Sequence, residues 1–152
     1  MKLEQYLSEE NIHLDLESAD KSVFFQEALE TLRKQGYVTE TQRVQEDLEM
    51  REAIMSTGVG QGVAIPHALS EAVTKIHLSL WRLNKPLDFD SVDGQGVDLI
   101  FMILGPQQDS SDHVKILAGI SRILHGEDFR SLVRAAGSSA EVMELLHQHH
   151  DS

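Results

Sequence analysis

The segment Ser56-Thr57-Gly58-Val59-Gly60-Gln61-Gly62-Val63-Ala64-Ile65-Pro66-His67 ends on an imidazole. A titratable ring held at the mouth of a buried strand is suited to chemistry near neutral pH. Three glycines at every second position predict a loop that a second element can approach closely. The apolar run over 62–66 predicts a short buried strand. Pro66 fixes φ and removes a backbone donor, so the backbone at His67 is constrained before its side chain acts. The alternative for His67 is a packed structural histidine.

His113 follows Ser110-Ser111-Asp112, a good capping run, which puts it in the first turn of a predicted helix. Unpaired N–H groups and the positive dipole end there favour an anion and disfavour a protonated imidazole. A capping or packing histidine is the other reading. Arg51, followed by Glu52, stands near the end of an earlier predicted helix. It is either a solvated helix charge or a guanidinium that forks onto phosphate oxygens. Ser56 and Thr57 read as turn or cap residues whose hydroxyls could also donate to a phosphoryl group.

Several other chemistries lack their residues. The glycine run has no Gly-Lys-Ser/Thr after it, so it is not a P-loop, and Val63 occupies the third glycine position of the dinucleotide fingerprint. Asp88, Asp90, Asp93 and Gly94 are spaced one residue too long for a calcium loop, and Leu99 stands where the bidentate glutamate belongs. No Gly-x-Ser-x-Gly elbow and no His-Glu-x-x-His helix occur. There is no cysteine, hence no disulfide, thiolate metal site or cysteine nucleophile. His147, His149 and His150 read as a frayed terminus, so neither a metal nor another cofactor is expected. No acid/base pair arranged to activate water can be identified, which disfavours a hydrolase. What remains is two histidines, one arginine and nearby hydroxyls. A neutral imidazole nitrogen is a competent nucleophile towards an activated phosphoryl group. That transfer asks mainly for in-line placement and for cationic or N–H stabilisation of the equatorial oxygens.

These residues need elements to hold them. Ile12, Leu14 and Leu16 alternate as in an edge strand. Residues 20–35 read as a helix, with Phe24, Ala28 and Leu32 on one face, Phe25 and Leu29 beside them, and Gly36 as its stop. A second helix is predicted from Thr39, where Thr39-Glu40-Thr41-Gln42 matches a capping box and Val44, Leu48 and Met55 continue one face. Residues 76–83 alternate as in a half-buried strand, and 97–104 are almost wholly apolar, as in a central strand covered on both faces. Three helical segments follow, at about 111–125, 127–136 and 139–148, separated by Gly126 and Gly137 and with a cap at Ser138-Ser139-Ala140-Glu141. This mixture implies a single α/β domain over 1–152: a three-layer α/β/α sandwich whose mixed sheet is covered by helices on both faces. Ligands of open α/β sheets sit outside the carboxyl ends of strands, where His67 and His113 are both expected.

The chain has 152 residues, enough for one domain with a substantial core, and a formal net charge of −12. That charge repels nucleic acid and anionic membranes, so neither is an expected partner. No apolar run approaches the roughly 20 residues needed to cross a bilayer, and no signal peptide is visible. Together with the missing cysteine, this suits a cytoplasmic location.

Arg51-Glu52, Ser56-Thr57-Gly58-Val59-Gly60 and Gly62-Val63-Ala64-Ile65-Pro66-His67 together resemble the phosphorylation-site signature of the fructose/mannitol-type enzyme IIA domains of the bacterial phosphoenolpyruvate-dependent sugar phosphotransferase system. The resemblance runs over nearly the whole chain. It implies that His67 takes a phosphoryl group from the histidine-containing phosphocarrier protein and passes it to a cysteine of an enzyme IIB. It implies that His113 supports the phosphohistidine, that Arg51 neutralises phosphate charge, and that Ser56 and Thr57 flank the site. Without cysteine the chain cannot supply its own enzyme IIB acceptor, and it shows no enzyme IIC span, so a free-standing relay or a transporter's first module is expected. The family's nitrogen-related branch uses the same histidine to control other proteins, and the site residues do not separate the two.

Overall fold

Val97 and the unbroken apolar run Leu99 to Leu104 must be covered on both sides, and the rest of the molecule is arranged to do so. In the computed structural model, which describes residues 3–108 and 110–149, this run lies in strand β6 (Val97–Pro106). Leu99, Phe101 and Ile103 point into one apolar cluster, and Ile100, Met102 and Leu104 into another, all fully buried. The two-residue side-chain period of a strand makes that division.

β1 (Ile12–Leu16) is the edge strand, parallel to β5 (His77–Leu87), which runs antiparallel to β6. On the far side of β6 lie β3 (Val63–Ala64) and β4 (His67–Ser70), both parallel to it, and β2 (Gly58–Gly60) pairs antiparallel with β3. The order is β1-β5-β6-β3-β2, with β4 also on β6, so the sheet is mixed. α1 (Lys21–Lys34) and α2 (Thr41–Ile54) cover one face through Phe24, Phe25, Leu29, Val44 and Leu48. α3 (Ser110–Leu124), α4 (Glu127–Ala135) and α5 (Ser139–His149) cover the other through Ile116, Ile120, Phe129, Val133 and Val142. The expected three-layer sandwich is the observed one.

Local chemistry sets the helix ends. Asp20 accepts from the Val23 N–H at 2.9 Å at the start of α1. Gly36, at φ +87°, ends it: its N–H reaches Arg33 O and that of Tyr37 reaches Leu32 O, the paired bonds of a Schellman motif. At α5 the Ser138 hydroxyl accepts from Glu141 N–H, and the Glu141 carboxylate accepts from Gly137 N–H.

Three sequence expectations need correction. The capping box at Thr39 does not form: α2 starts at Thr41 with Glu40 as its N-cap and no side-chain cap bond, because buried Val38 is drawn into the core and Glu40 stays outside the helical region. Met55 lies beyond α2 and is exposed, so it does not continue the Val44–Leu48 face. β5 is covered on both faces. Its His77, Ser79 and Trp81 side is buried, with Trp81 edge-on to Phe24 of α1 and stacked on His13 of β1. Alternating polarity predicted one wet face, but an aromatic row from α1 closes it. His150 lies outside the described residues.

Candidate active site

The glycine segment is a hairpin rather than a loop. β2 and β3 are joined by Gln61 at φ +60° and Gly62 at φ +77°, the two left-handed positions of a tight hairpin turn. The expected strand over 62–66 is only the two-residue β3, and a separate strand, β4, starts at His67. Val63 and Ala64 pair with Leu99 and Ile100, Pro66 has no N–H to extend the ladder, and pairing resumes at His67 opposite Ile103. His67 therefore opens β4 instead of trailing a strand end. The Pro66 carbonyl still accepts from Ile103 N–H at 3.0 Å, which keeps the register across the gap.

The His67 ring is half-buried, and its Nδ1 lies 2.8 Å from the Ile65 carbonyl oxygen. A carbonyl only accepts, so in this geometry Nδ1 carries the hydrogen and the Nε2 lone pair is left over. Burial pushes the His67 pKa below the ordinary imidazole value. The Arg51 charge lowers it further, while the Ile65 carbonyl and Glu52 oppose the shift. The neutral, nucleophilic form is thus favoured at pH 7.

His113 is in the first turn of α3, as expected, and is 5% exposed. Its ring centroid is 5.3 Å from that of His67, with the planes tilted by 60°. Arg51 stands in the last turn of α2 and donates from Nη1 to the Met55 carbonyl at 2.8 Å, which holds the guanidinium back along its helix end. His67, His113 and Arg51 all line one open, largely apolar depression of about 750 Å³, together with Asp47, Met50, Ile54, Leu69 and Val114.

The Ser56 and Thr57 hydroxyls do not join this group. Ser56 Oγ donates to the Phe89 carbonyl and accepts from Gly58 N–H at 3.0 Å. Thr57 Oγ1 donates to Glu52 Oε2 at 2.7 Å, and Thr57 is 4% exposed. Both hydroxyls hold the turn that leads into the hairpin. Among the described residues no His, Asp and Glu side chains converge as a metal-binding group, and no helix is long and apolar enough to cross a membrane. Two parts of the site are absent from the sequence reading. One is the rest of the α2 stripe that carries Arg51, namely Asp47, Met50 and Ile54, whose i, i+3, i+7 spacing was the available signal. The other is the bond from Ser70 Oγ to Asp47 Oδ2, at 2.6 Å, which ties α2 to β4 beside His67.

A family model described as "Phosphoenolpyruvate-dependent sugar phosphotransferase system, EIIA 2" matches residues 5–149. The chain belongs to this EIIA 2 family. The resemblance read from the sequence is borne out at that level, and membership implies a phosphoryl-carrier role. The fructose-specific EIIABC component of the phosphotransferase system of Bacillus subtilis is 32% identical over 149 residues, 98% of this EIIA 2 chain and 24% of that protein. A nitrogen regulatory protein of Bradyrhizobium diazoefficiens is 42% identical over 101 residues, 66% of each chain. The crystal structure of the nitrogen regulatory protein IIA-Ntr from Neisseria meningitidis is 32% identical, with a TM-score of 0.86, and covers 95% of this chain and 98% of that one. The EIIA 2 chain thus spans about a quarter of the length of the first of these relatives.

Proposed function

We propose that this EIIA 2 domain relays phosphoryl groups for sugar uptake, with His67 as the residue phosphorylated. The observation that carries this reading is the His67 ring itself: Nδ1 is tied to the Ile65 carbonyl, which leaves Nε2 as the free lone pair, and the ring packs near His113 in a depression that Arg51 also lines. In the first step the Nε2 lone pair attacks phosphorus on the histidine-containing phosphocarrier protein. A new N–P bond forms as the donor's N–P bond breaks, and Nδ1–H keeps its acceptor throughout. In the second step a thiolate of enzyme IIB attacks the same phosphorus, an S–P bond forms as the Nε2–P bond breaks, and the electron pair returns to Nε2 so that His67 regains its neutral ring. His113 at the start of α3 and Arg51 at the end of α2 stabilise the equatorial oxygens, from a helix N-terminus and a guanidinium respectively. Ser56 and Thr57 flank the phosphoryl group only through the turn that they hold. The chain is one enzyme IIA domain over 1–152 in this reading, it needs neither cofactor nor nucleic acid, and it works in the cytoplasm, where phosphoenolpyruvate is made.

A second reading is a regulatory enzyme IIA whose phosphorylation state controls another protein. The likeness to the Neisseria nitrogen regulatory structure, in identity and in coverage, supports it.

The test is phosphotransfer from phosphoenolpyruvate through the general phosphotransferase proteins. An acid-labile, alkali-stable phosphoramidate is expected on His67 and lost in His67→Ala; full phosphorylation of that variant sinks the site assignment. Onward transfer to an enzyme IIB cysteine supports the sugar relay. Phosphorylation without transfer to any of a panel of enzyme IIB domains favours the regulatory reading.

A further inference from the structure

Glu52 follows Arg51 on α2 but faces the interior, and its residue is only 9% exposed. Three donors converge on its carboxylate. Lys21 Nζ and Thr57 N–H reach Oε1, each at 3.0 Å, and Thr57 Oγ1 reaches Oε2 at 2.7 Å. None of these bonds has a part in the transfer steps above. A buried carboxylate needs such partners, because losing water is costly unless donors replace it. Lys21 is itself anchored: it donates to the Phe89 carbonyl at 3.0 Å and lies 4.8 Å above the Phe89 ring.

The path from this carboxylate leads to the reacting imidazole. The Thr57 carbonyl accepts from Ile65 N–H at 3.0 Å, across the hairpin. The Ile65 carbonyl in turn accepts from His67 Nδ1 at 2.8 Å. Glu52, Thr57, Ile65 and His67 thus form one chain of hydrogen bonds from a buried anchor to the ring. Each bond fixes a residue that then presents its carbonyl to the next donor. We infer that Glu52 is a positioning residue for His67: by clamping Thr57 it fixes the Ile65 carbonyl, holds the ring as the Nδ1–H tautomer and keeps Nε2 turned to the incoming phosphorus. This inference rests on the reading of His67 as the phosphoryl acceptor.

A carboxylate is required because two acceptor oxygens serve three donors. Glutamine removes the negative charge opposite Lys21 and turns an NH₂ group on the Thr57 hydroxyl, which must then accept where it had donated, so the clamp is weakened. The measurement is ¹⁵N NMR of the labelled, unphosphorylated protein above pH 8, where His67 is neutral, with kcat and KM for the phosphocarrier donor taken alongside. Wild type is expected as the Nδ1–H tautomer. Glu52→Gln is expected to mix in the Nε2–H tautomer and to lower kcat by about 10- to 100-fold with KM little changed, the order seen when a reacting group is misplaced. Thr57→Val, which removes one clamp bond and leaves the carboxylate, is expected to give the same change to a smaller degree, and Thr57→Ser to restore wild type. Tautomer and kcat unchanged in folded Glu52→Gln overturn the inference. If that variant does not fold, an unchanged Thr57→Val overturns it. Failure of wild type to be phosphorylated would instead overturn the carrier reading, and the tautomer measurement, made without phosphate, still decides the link.

Discussion

At His67 two opposing needs meet in one ring. In the proposed relay the nucleophile must be neutral, yet the phosphoryl group it would receive wants positive charge nearby. Arg51 would serve the second need and, by lowering the His67 pKa, serves the first. Because the His67 pKa lies below the ordinary 6.5, the phosphorylation rate is expected to stay level down to that pH and to fall only as pH drops through the lowered value. In Arg51→Ala the depressing charge is gone, so the acid limb is expected to move to higher pH while the plateau rate drops. NMR titration of the His67 ring and single-turnover rates across pH check both, and an acid limb that stays in place would show that Arg51 does not act on His67. His67, His113 and Arg51 were legible as candidates in the sequence because each announces its type and is set by a nearby turn or helix end. The Ile65 carbonyl was not, since every residue carries one and only the fold aims it. The hydroxyls of Ser56 and Thr57 were legible as turn residues, but their direction depends on Glu52 and Phe89, which lie elsewhere in the sequence.

The hairpin is the element that delivers His67, and Gly62 stands at its turn with no room for a side chain. An added Cβ there would lie 2.4 Å from Arg134 Nη2 and 2.9 Å from Asp98 Oδ1. Those two groups are paired with each other, and Arg134 also holds the Gln61 carbonyl at 2.6 Å, so α4 clamps the turn. Gly36 has a similar positive φ but open space where a Cβ would go. Gly36→Ala is therefore expected to lose only the left-handed backbone term, about 1 kcal/mol. Gly62→Ala carries that term and also disrupts the Arg134–Asp98 pair, for a total of about 2–3 kcal/mol. Urea unfolding of both variants separates the two contributions, and equal losses would show that the clamp contributes nothing. At this scale the sequence was readable where one pattern dominated, as in the apolar run of β6 and the capped helices α1 and α5. It was less readable where tertiary partners decide. Pro66 splits one apolar run into β3 and β4, and α1 buries the polar side of β5.

Across the whole molecule, two further histidines, buried His77 and half-buried His13, pack away from the candidate site. His77 of β5 is 7% exposed and stacks on Tyr37, in the connection between α1 and α2, at 4.1 Å. His13 of β1 stacks on Trp81 at 4.0 Å. Burial, with the His13 charge adding to it and Glu10 opposing, pushes the His77 pKa down to about 4, and burial lowers that of His13. For a base whose folded-state pKa is depressed, the unfolded chain binds more protons between the two values, so stability rises with pH there. The contribution of neutral His77 is complete above about pH 6.5. It is lost progressively as pH falls to about 4 and is then constant, a change on the order of 3 kcal/mol. His77→Phe keeps an aromatic ring against Tyr37 but cannot take up the proton. Its unfolding free energy is therefore expected to depend less on pH between 6.5 and 4 than that of the wild type, with the two curves converging in slope above 7. Urea titrations at intervals across that range measure the difference. Parallel curves would mean that the His77 proton is not taken up on unfolding and that acid sensitivity arises elsewhere, in His13 or the carboxylates.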